Sequence, residues 1–354
     1  MPKLNVAVLY GGKSTEHEVS VHSAQTVCEI LENKYQVTKI FITKQGQWFL
    51  QKSCGFKQDE DVEISPVICS GGAQLYTKDG REVKVDVFFP VLHGAMGEDG
   101  TMQGLFEILN TPYVGCGVLT SALGMDKELC KLLASFYGVP IVPYVKLQAH
   151  IKYDMAEVKQ AVLALGYPLF VKPMSLGSSV GVSKVNTEAD LEAAIEKAFK
   201  YERNILVEKG IENPREVFCA VVGEAGDIHT SLCGELIDIK SEFFDYKAKY
   251  EDPHGCDIKA PAALPPAMQD SMRNAAKEVF KVLRGEGLAR VDFLLGTDGK
   301  FYFSEINTIP GMSHTSLFPQ LWQCSGKKYE DVLDSLIRMS LKRKAVSDKL
   351  SLER

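Results

Sequence analysis

A short segment late in the chain gathers residue types that could hold a metal and a phosphate: Arg290, Asp292, Glu305 and Asn307, on either side of an Asp298-Gly299 pair. Apolar residues alternate on both flanks, the strongest short-range signal for a β-hairpin with a tight primed turn. With Asp298 and Gly299 as the two central turn residues, Thr297 pairs with Lys300. Counting outward then sets Asp292 opposite Glu305 and Arg290 opposite Asn307. Like charges directly opposite destabilise a sheet, and a divalent cation between them resolves the conflict. Two carboxylates and an amide are hard oxygen ligands suited to Mg²⁺, which keeps its other positions for water and substrate phosphates. Glu305 and Asn307, two apart on a strand, share a face. The competing reading is a solvated polar face on an edge hairpin. Phe301 and Phe303 have the same parity as Glu305 and Asn307, which a solvated face would not carry, so a metal–phosphate site is expected.

Other loops offer anion contacts. Gly177-Ser178-Ser179-Val180-Gly181 lies between strands expected at 167–172 and 182–185. It is therefore no Walker-type loop, which needs a following helix. A hydroxyl-rich loop can still fold over a triphosphate with N–H and O–H donors. Lys172, ending the strand before it, sets an ammonium at its base. Loops 11–20 and 93–100 follow buried strands expected at 5–10 and 85–92 and open helices, presenting N–H groups and a positive dipole end.

These residues need a scaffold. Buried runs alternating with a helix at 18–32 and a strand at 36–43 describe a doubly wound parallel sheet, with ligands beyond the carboxyl ends of its strands. Residues 47–84 are polar and turn-rich and assign to no element. A helix beginning near Ser121 carries Met125-Asp126-Lys127, another spans 188–200, and a basic helix ends around Arg343. At 354 residues the chain can form two or three domains. The expected division is 1–118, an α/β substrate-binding domain; 119–206, a central lobe; and 207–354, a lobe with the metal site. A net charge of −6 argues against a general nucleic-acid or membrane-surface binder. Nine scattered cysteines without a C-x-x-C pair read as reduced thiols, not a disulfide framework or zinc site. The opening apolar run is too short for a signal peptide, and no run approaches a bilayer's thickness. A cytoplasmic protein is expected.

Six ordered motifs then carry a resemblance: Gly11-Gly12 with Ser14 and Glu16-His-Glu-Val-Ser20; Leu92-His93-Gly94 with Gly97-Glu-Asp-Gly-Thr101; Met125-Asp-Lys127; Val171-Lys-Pro with Gly177-Ser-Ser-Val-Gly181; Asp245-Tyr-Lys-Ala-Lys249-Tyr250; and Arg290-Val-Asp292 through Glu305-Ile-Asn307 to Pro310-Gly311-Met and Ser316-Leu317. Over nearly its whole length the chain resembles the D-alanine–D-alanine ligases of the ATP-grasp superfamily. The resemblance implies an α/β and α+β chain of ATP-grasp fold, in which an N-terminal doubly wound domain accompanies two α+β lobes enclosing ATP. It implies ligation of two D-alanines through an acyl phosphate, for peptidoglycan precursors, by a homodimer. Asp292, Glu305 and Asn307 would hold two Mg²⁺ or Mn²⁺ ions against the phosphates. Lys127 and Lys172 would contact the α- and β-phosphates, with Lys249, Ser178 and Ser179 over the γ end. Glu208 and Lys209 would flank the adenine and Glu216 the ribose. Arg290 and the Gly311 N–H would form an oxyanion hole. Glu16 would bind the first D-alanine's ammonium with His93 near its carboxylate, and Ser316 and Leu317 would hold the carboxylate of the second. Ser178, Tyr250 and Glu16 would latch the site.

Plainer readings stand beside these. Glu16 could cap the helix that follows it, His93 could cap the helix near Thr101 or simply pack, Lys127 could be a surface lysine, and Tyr250 an exposed aromatic. Lys247 and Cys256 depart from commoner versions of the Tyr250 loop. The Lys249-Tyr250 pair resembles the dipeptide-forming type, which disfavours D-lactate more than D-serine. A D-alanine–D-serine ligase and a non-catalytic ATP-binding regulator are the alternatives. A dehydrogenase is excluded, because Gly11-Gly12 lacks the third glycine at the helix start.

Overall fold

A computed structural model describes residues 3–69, 72–237 and 257–350. Lys249 and Tyr250 lie outside the described residues, as do Lys247 and Cys256. The first sheet is built on β1 (Asn5–Gly11), whose residues Val6 to Tyr10 are fully buried. Parallel pairing joins it to β2 (Gln36–Ile42) on one side and to β7 (Val87–Pro90) on the other. Helix α1 (His17–Glu32) makes the first crossover. Residues 47–84, unassigned from sequence, add four strands: β3 (Trp48–Gln51), β4 (Val62–Cys69), β5 (Gly72–Thr77) and β6 (Glu82–Val83). These pair antiparallel, so the parallel part is the three-strand set β2–β1–β7 and the whole sheet is mixed. Alternate residues of β1 serve opposite faces. Val6, Val8 and Tyr10 pack with α1, whereas Ala7 and Leu9 pack with Phe106 and Leu109 at the end of α2 (Thr101–Ile108).

In place of one helix near Ser121 the chain forms two, α3 (Val118–Met125) and α4 (Lys127–Phe136), broken at Asp126. Asp126 is extended and its carboxylate caps α4 by accepting from the Leu129 N–H at 2.9 Å. The second sheet comprises β8 (Tyr144–Gln148), β9 (Leu169–Pro173), β10 (Ser183–Val185) and β11 (Asn204–Lys209), in the order β10-β9-β11-β8. Helices α5 (Met155–Leu163) and α6 (Leu191–Phe199) close its core. Along β9, Leu169 and Val171 point to that core and Phe170 and Lys172 to the opposite face, the period-two alternation of a strand.

The third sheet holds β12 (Arg215–Glu224), β13 (Asp227–Thr230), β14 (Gly234–Ile237), β15 (Asp257–Lys259), β16 (Gly287–Leu295) and β17 (Phe301–Asn307). One face packs on α7 (Pro266–Val282) and on Cys130 and Ala134 of α4. The other shares a core with the first sheet through α8 (Leu317–Cys324) and α9 (Tyr329–Ser347). The 206/207 division expected from sequence thus falls inside β11, and α3–α4 pack on the third sheet. The Lys209 N–H donates to the Pro143 carbonyl at 3.0 Å, so the two chain crossings between the second and third sheets lie side by side. Among the described residues no helix is long and apolar enough to cross a membrane.

Two glycines give this architecture a test. Gly287 and Gly299 both have positive φ, 83° and 76°. A Cβ on Gly287 would lie 2.8 Å from the Gly115 backbone, where the first sheet's chain docks, whereas at Gly299 nothing lies within 4 Å. Gly299→Ala should cost about 1 kcal/mol, the left-handed penalty alone. Gly287→Ala should cost a further ~1–3 kcal/mol, measured by denaturant midpoints; equal losses would contradict this docking.

Candidate functional site

The β16–β17 hairpin reaches the expected pairing by a different route. Gly296 and Lys300 bracket a three-residue loop, with the Gly296 N–H on the Lys300 carbonyl at 2.8 Å and Gly299 left-handed. The primed two-residue turn is therefore corrected to a longer one, and Phe293 pairs with Phe303. A bulge at Ser304 then restores the lost residue, so Asp292 faces Glu305 and Arg290 faces Asn307 as counted. The bulge also overturns the parity argument: Phe303 and Ile306 join the core, while Glu305 and Asn307 line the cleft. The aromatic residues and the carboxylates occupy different faces.

Arg290 grips Asp292 in a fork, Nε to Oδ1 at 2.7 Å and Nη2 to Oδ2 at 2.6 Å, with its guanidinium 5.3 Å from the Phe218 ring. The Asn307 amide donates to Asp292 Oδ2 at 3.1 Å. Lys127 Nζ stands 3.5 Å from Glu305. Among the described residues no three His, Cys, Asp or Glu side chains group as metal ligands. Two carboxylates and a carboxamide nevertheless fit Mg²⁺ or Mn²⁺, if phosphate oxygens and water complete the shell.

The loops after β1 and β7 meet at the point where the strand order reverses, the usual ligand crevice of such sheets. Glu16 is the N-cap residue of α1, yet its side chain makes no capping bond. It accepts instead from Ser178 Oγ at 2.7 Å, across from the second sheet. His93 is buried and held at both nitrogens, Nδ1 to the Ile309 carbonyl at 2.8 Å and Nε2 to Ser23 Oγ at 3.3 Å. A carbonyl can only accept, so Nδ1 carries the proton; the Ser23 hydroxyl donates to Nε2 and accepts from the Met312 N–H at 3.1 Å. Burial holds His93 below its usual range, in the neutral form, despite Glu16 nearby. Glu98 is pushed up to about 8 by burial, with Glu16 and Glu305 adding to the effect. It is a neutral acid at pH 7 and accepts from the Gly94 N–H at 3.0 Å.

Between the second and third sheets lies a cleft of about 840 Å³, lined by Lys127, Lys172, Ser178, Ser179, Glu208, Lys209, Glu216, Asp292 and Glu305. Ser178 and Ser179 are both left-handed, with φ of 50° and 57°, strain tolerated where the surroundings enforce it. Lys127 donates to the Leu176 carbonyl at 2.8 Å, tying α4 to this loop, and is no surface lysine. Glu208 is buried, with Lys131 at 2.7 Å on one oxygen and Lys172 at 2.6 Å on the other. The two ammonium groups outweigh desolvation and hold its carboxyl down to about 2, whereas burial lowers Lys131 to about 8. Sequence reasoning missed Lys131, although it lies on the buried stripe Lys127-Cys130-Lys131-Ala134 of α4. It also missed Ser23 and the neutral state of Glu98.

At the far end, Ser316 precedes α8 and its Oγ accepts from the Ser313 N–H at 3.1 Å. The Leu317 side chain is in the core, so only its N–H, in the first turn, can meet a ligand. A Cβ on Gly311 would come within 2.9 Å of Ser316 Oγ.

Family models match both parts of the chain: "D-ala D-ala ligase N-terminus" over residues 5–116 and "D-ala D-ala ligase C-terminus" over residues 133–338. The chain belongs to the D-alanine–D-alanine ligase family. It is 38% identical to D-alanine--D-alanine ligase A of Chromobacterium violaceum across 99% of each chain. With the D-alanine--D-alanine ligase of Geobacillus thermodenitrificans it shares 42% identity across 96% of each. Among solved structures, the D-alanine-D-alanine ligase of Coxiella burnetii superposes with a TM-score of 0.85 at 33% identity, covering 98% of each chain. The VanG D-Ala:D-Ser ligase of Enterococcus faecalis gives 0.83 at 35%, covering 96% of this chain and 99% of that one. The ATP-grasp expectation therefore holds.

The His93 environment has a pH signature within this family fold. A histidine neutral when folded binds fewer protons than the unfolded chain below pH 6.5, so stability falls on acidification from there. Wild type should lose up to about 1.4 kcal/mol per pH unit more than His93→Gln below pH 6.5. Glu98 contributes an opposite slope between 4.5 and about 8, common to both proteins. Parallel stability–pH curves from urea titrations would refute a neutral, buried His93.

Proposed function

We propose that the chain joins two molecules of D-alanine at the expense of ATP, giving D-alanyl-D-alanine for peptidoglycan precursors. One observation carries this reading. The 840 Å³ cleft and a small polar pocket around Glu16, His93 and Arg290 meet at Lys127, Gly177, Ser178 and Glu305, which line both. A nucleotide in the cleft would thus present its γ-phosphate to a small zwitterion in the pocket.

The carboxylate of the first D-alanine attacks the γ-phosphorus, forming an acyl phosphate and releasing ADP. The amine of the second then attacks the acyl carbon and expels phosphate. Lys127 and Lys172 would meet the α- and β-phosphates, Lys172 being oriented by Glu208. Ser179 and Lys249 would cover the γ end, while Glu208 and Lys209 would flank the adenine and Glu216 would serve the ribose. Mg²⁺ or Mn²⁺ held by Asp292, Glu305 and Asn307 would neutralise phosphate charge. Arg290 and the Gly311 N–H would stabilise the tetrahedral oxyanion. Glu16 would take the first ammonium with His93 beside the carboxylate, and the α8 N-terminus at Ser316 and Leu317 would take the second carboxylate. Ser178, already on Glu16, would close the site with Tyr250 and keep water from the acyl phosphate. Family resemblance adds a homodimer to this reading.

The test is phosphate release from Mg·ATP with D-alanine, L-alanine, and D-alanine plus D-lactate or D-serine, with the product identified by mass. D-alanine alone should give turnover and the dipeptide; a product dominated by D-alanyl-D-serine would favour the VanG-like reading, and no turnover with any D-amino acid would leave an ATP-binding regulator. Asn307→Ala should lower kcat roughly 10–100-fold at saturating Mg²⁺ with an unchanged melting curve; undiminished turnover would remove Asn307 from the metal set.

A further inference from the structure

The cysteines read from sequence as reduced thiols, and two of the described ones are well shielded. Cys116 and Cys130 are buried and pushed up to about 12 by desolvation. Two others stand apart from them and from the ligation site. Cys28, on the buried face of α1, and Cys54, half-buried in the loop after β3, have their sulfurs 2.7 Å apart. A disulfide of about 2.05 Å would need the sulfurs to close by less than about 1 Å.

We propose that Cys28 and Cys54 form an oxidisable dithiol, a modification site at which a peroxide converts the two thiols to a reversible disulfide. Cys54 is the attacking sulfur and Cys28 the resolving one. The close contact with the Cys28 sulfur, aided by the Lys39 ammonium, holds Cys54 below the usual thiol range. The same contact, with burial, pushes Cys28 well above it. A thiolate is the form that peroxide attacks, and partial exposure admits the oxidant. Lys39 is itself fixed by an ion pair to Glu32 at 2.5 Å, in the last turn of α1.

The electrons and atoms balance in two steps. The Cys54 thiolate attacks hydrogen peroxide, an S–O bond forms, the O–O bond breaks and hydroxide leaves, giving a sulfenic acid. The Cys28 sulfur then attacks the Cys54 sulfur, an S–S bond forms, the S–O bond breaks, and the Cys28 proton leaves with the departing oxygen as water. Two electrons pass from the sulfurs to the peroxide. Such a bond is transient in a reducing compartment, where disulfides in mesophilic proteins are chiefly redox-sensing or catalytic. It would also clip the loop carrying Phe56, whose ring stacks on His17 with centroids 6.4 Å apart, to the helix that begins beside Glu16.

The experiment is a non-reducing peptide map of the full chain after stepwise addition of hydrogen peroxide, with a dimedone trap for sulfenic acid. The first oxidised species should be a Cys28–Cys54 linked peptide, lighter by two hydrogens and fully restored by dithiothreitol. Cys28→Ser should lose the link and accumulate the dimedone adduct at Cys54, whereas Cys54→Ser should leave Cys28 unmodified at the same dose. Another thiol oxidised first, an adduct on Cys28 in Cys54→Ser, or no link in wild type at doses that oxidise its other cysteines would each overturn the proposal.

Discussion

Four carboxylates, Glu16, Glu98, Asp292 and Glu305, converge where the first sheet meets the third, and the cost of gathering like charges governs the neighbourhood. Each is compensated differently. Asp292 is clasped by Arg290 and touched by Asn307. Glu305 has Lys127, and Glu16 accepts from the Ser178 hydroxyl. Glu98 gives up its charge, since burial among the others holds it protonated at pH 7. The two basic groups among these compensators, Arg290 and Lys127, thus hold their carboxylates within the fold's own charge balance.

The core is distributed accordingly. The first and third sheets share one hydrophobic cluster through α1, α8 and α9, while the second sheet with α5 and α6 keeps its own. The carboxylate group is thus carried on one welded body, whereas Ser178, Ser179, Lys172 and Glu208 arrive on another. Among the described residues the side-chain bonds that bridge the seam include Ser178 to Glu16, Lys127, at the start of α4, to the Leu176 carbonyl, and the ion pairs of Lys131 with Glu208 and of Glu128 with Lys146.

Much of this was legible from residue types. The pairing of Asp292 with Glu305 was counted from a two-residue turn, and two departures, a longer loop and a bulge at Ser304, cancel to give the same partners. The count was right at the site although the turn chemistry was wrong, because the extra residue of the bulge offset the longer loop; the parity shift of the apolar residues from Phe303 to Ile306 was its mark in the sequence. The competing capping role for Glu16 could be decided only by seeing where its carboxylate goes. Residues 47–84 hid four strands because edge strands of a mixed sheet carry weak patterning. Lys131 was overlooked because a lysine on an apolar stripe reads as an error of phase until Glu208 and Lys172 are seen beside it.

The adjacency of the two crossings into the second sheet has a mechanical meaning. The strand before the lobe and the strand leaving it are pinned to each other at Pro143 and Lys209, and the segment just upstream is stitched to the third sheet by the Phe303 N–H on the Pro140 carbonyl at 2.8 Å. A body held along one short line resists sliding and twisting but swings easily about that line, as hinge-bending lobes do when a few terminal residues absorb the change. The two adjacent crossings and their backbone hydrogen bonds therefore leave rotation about that line as the lobe's freest motion, and that rotation sets the distance from the Ser178 loop to Glu16.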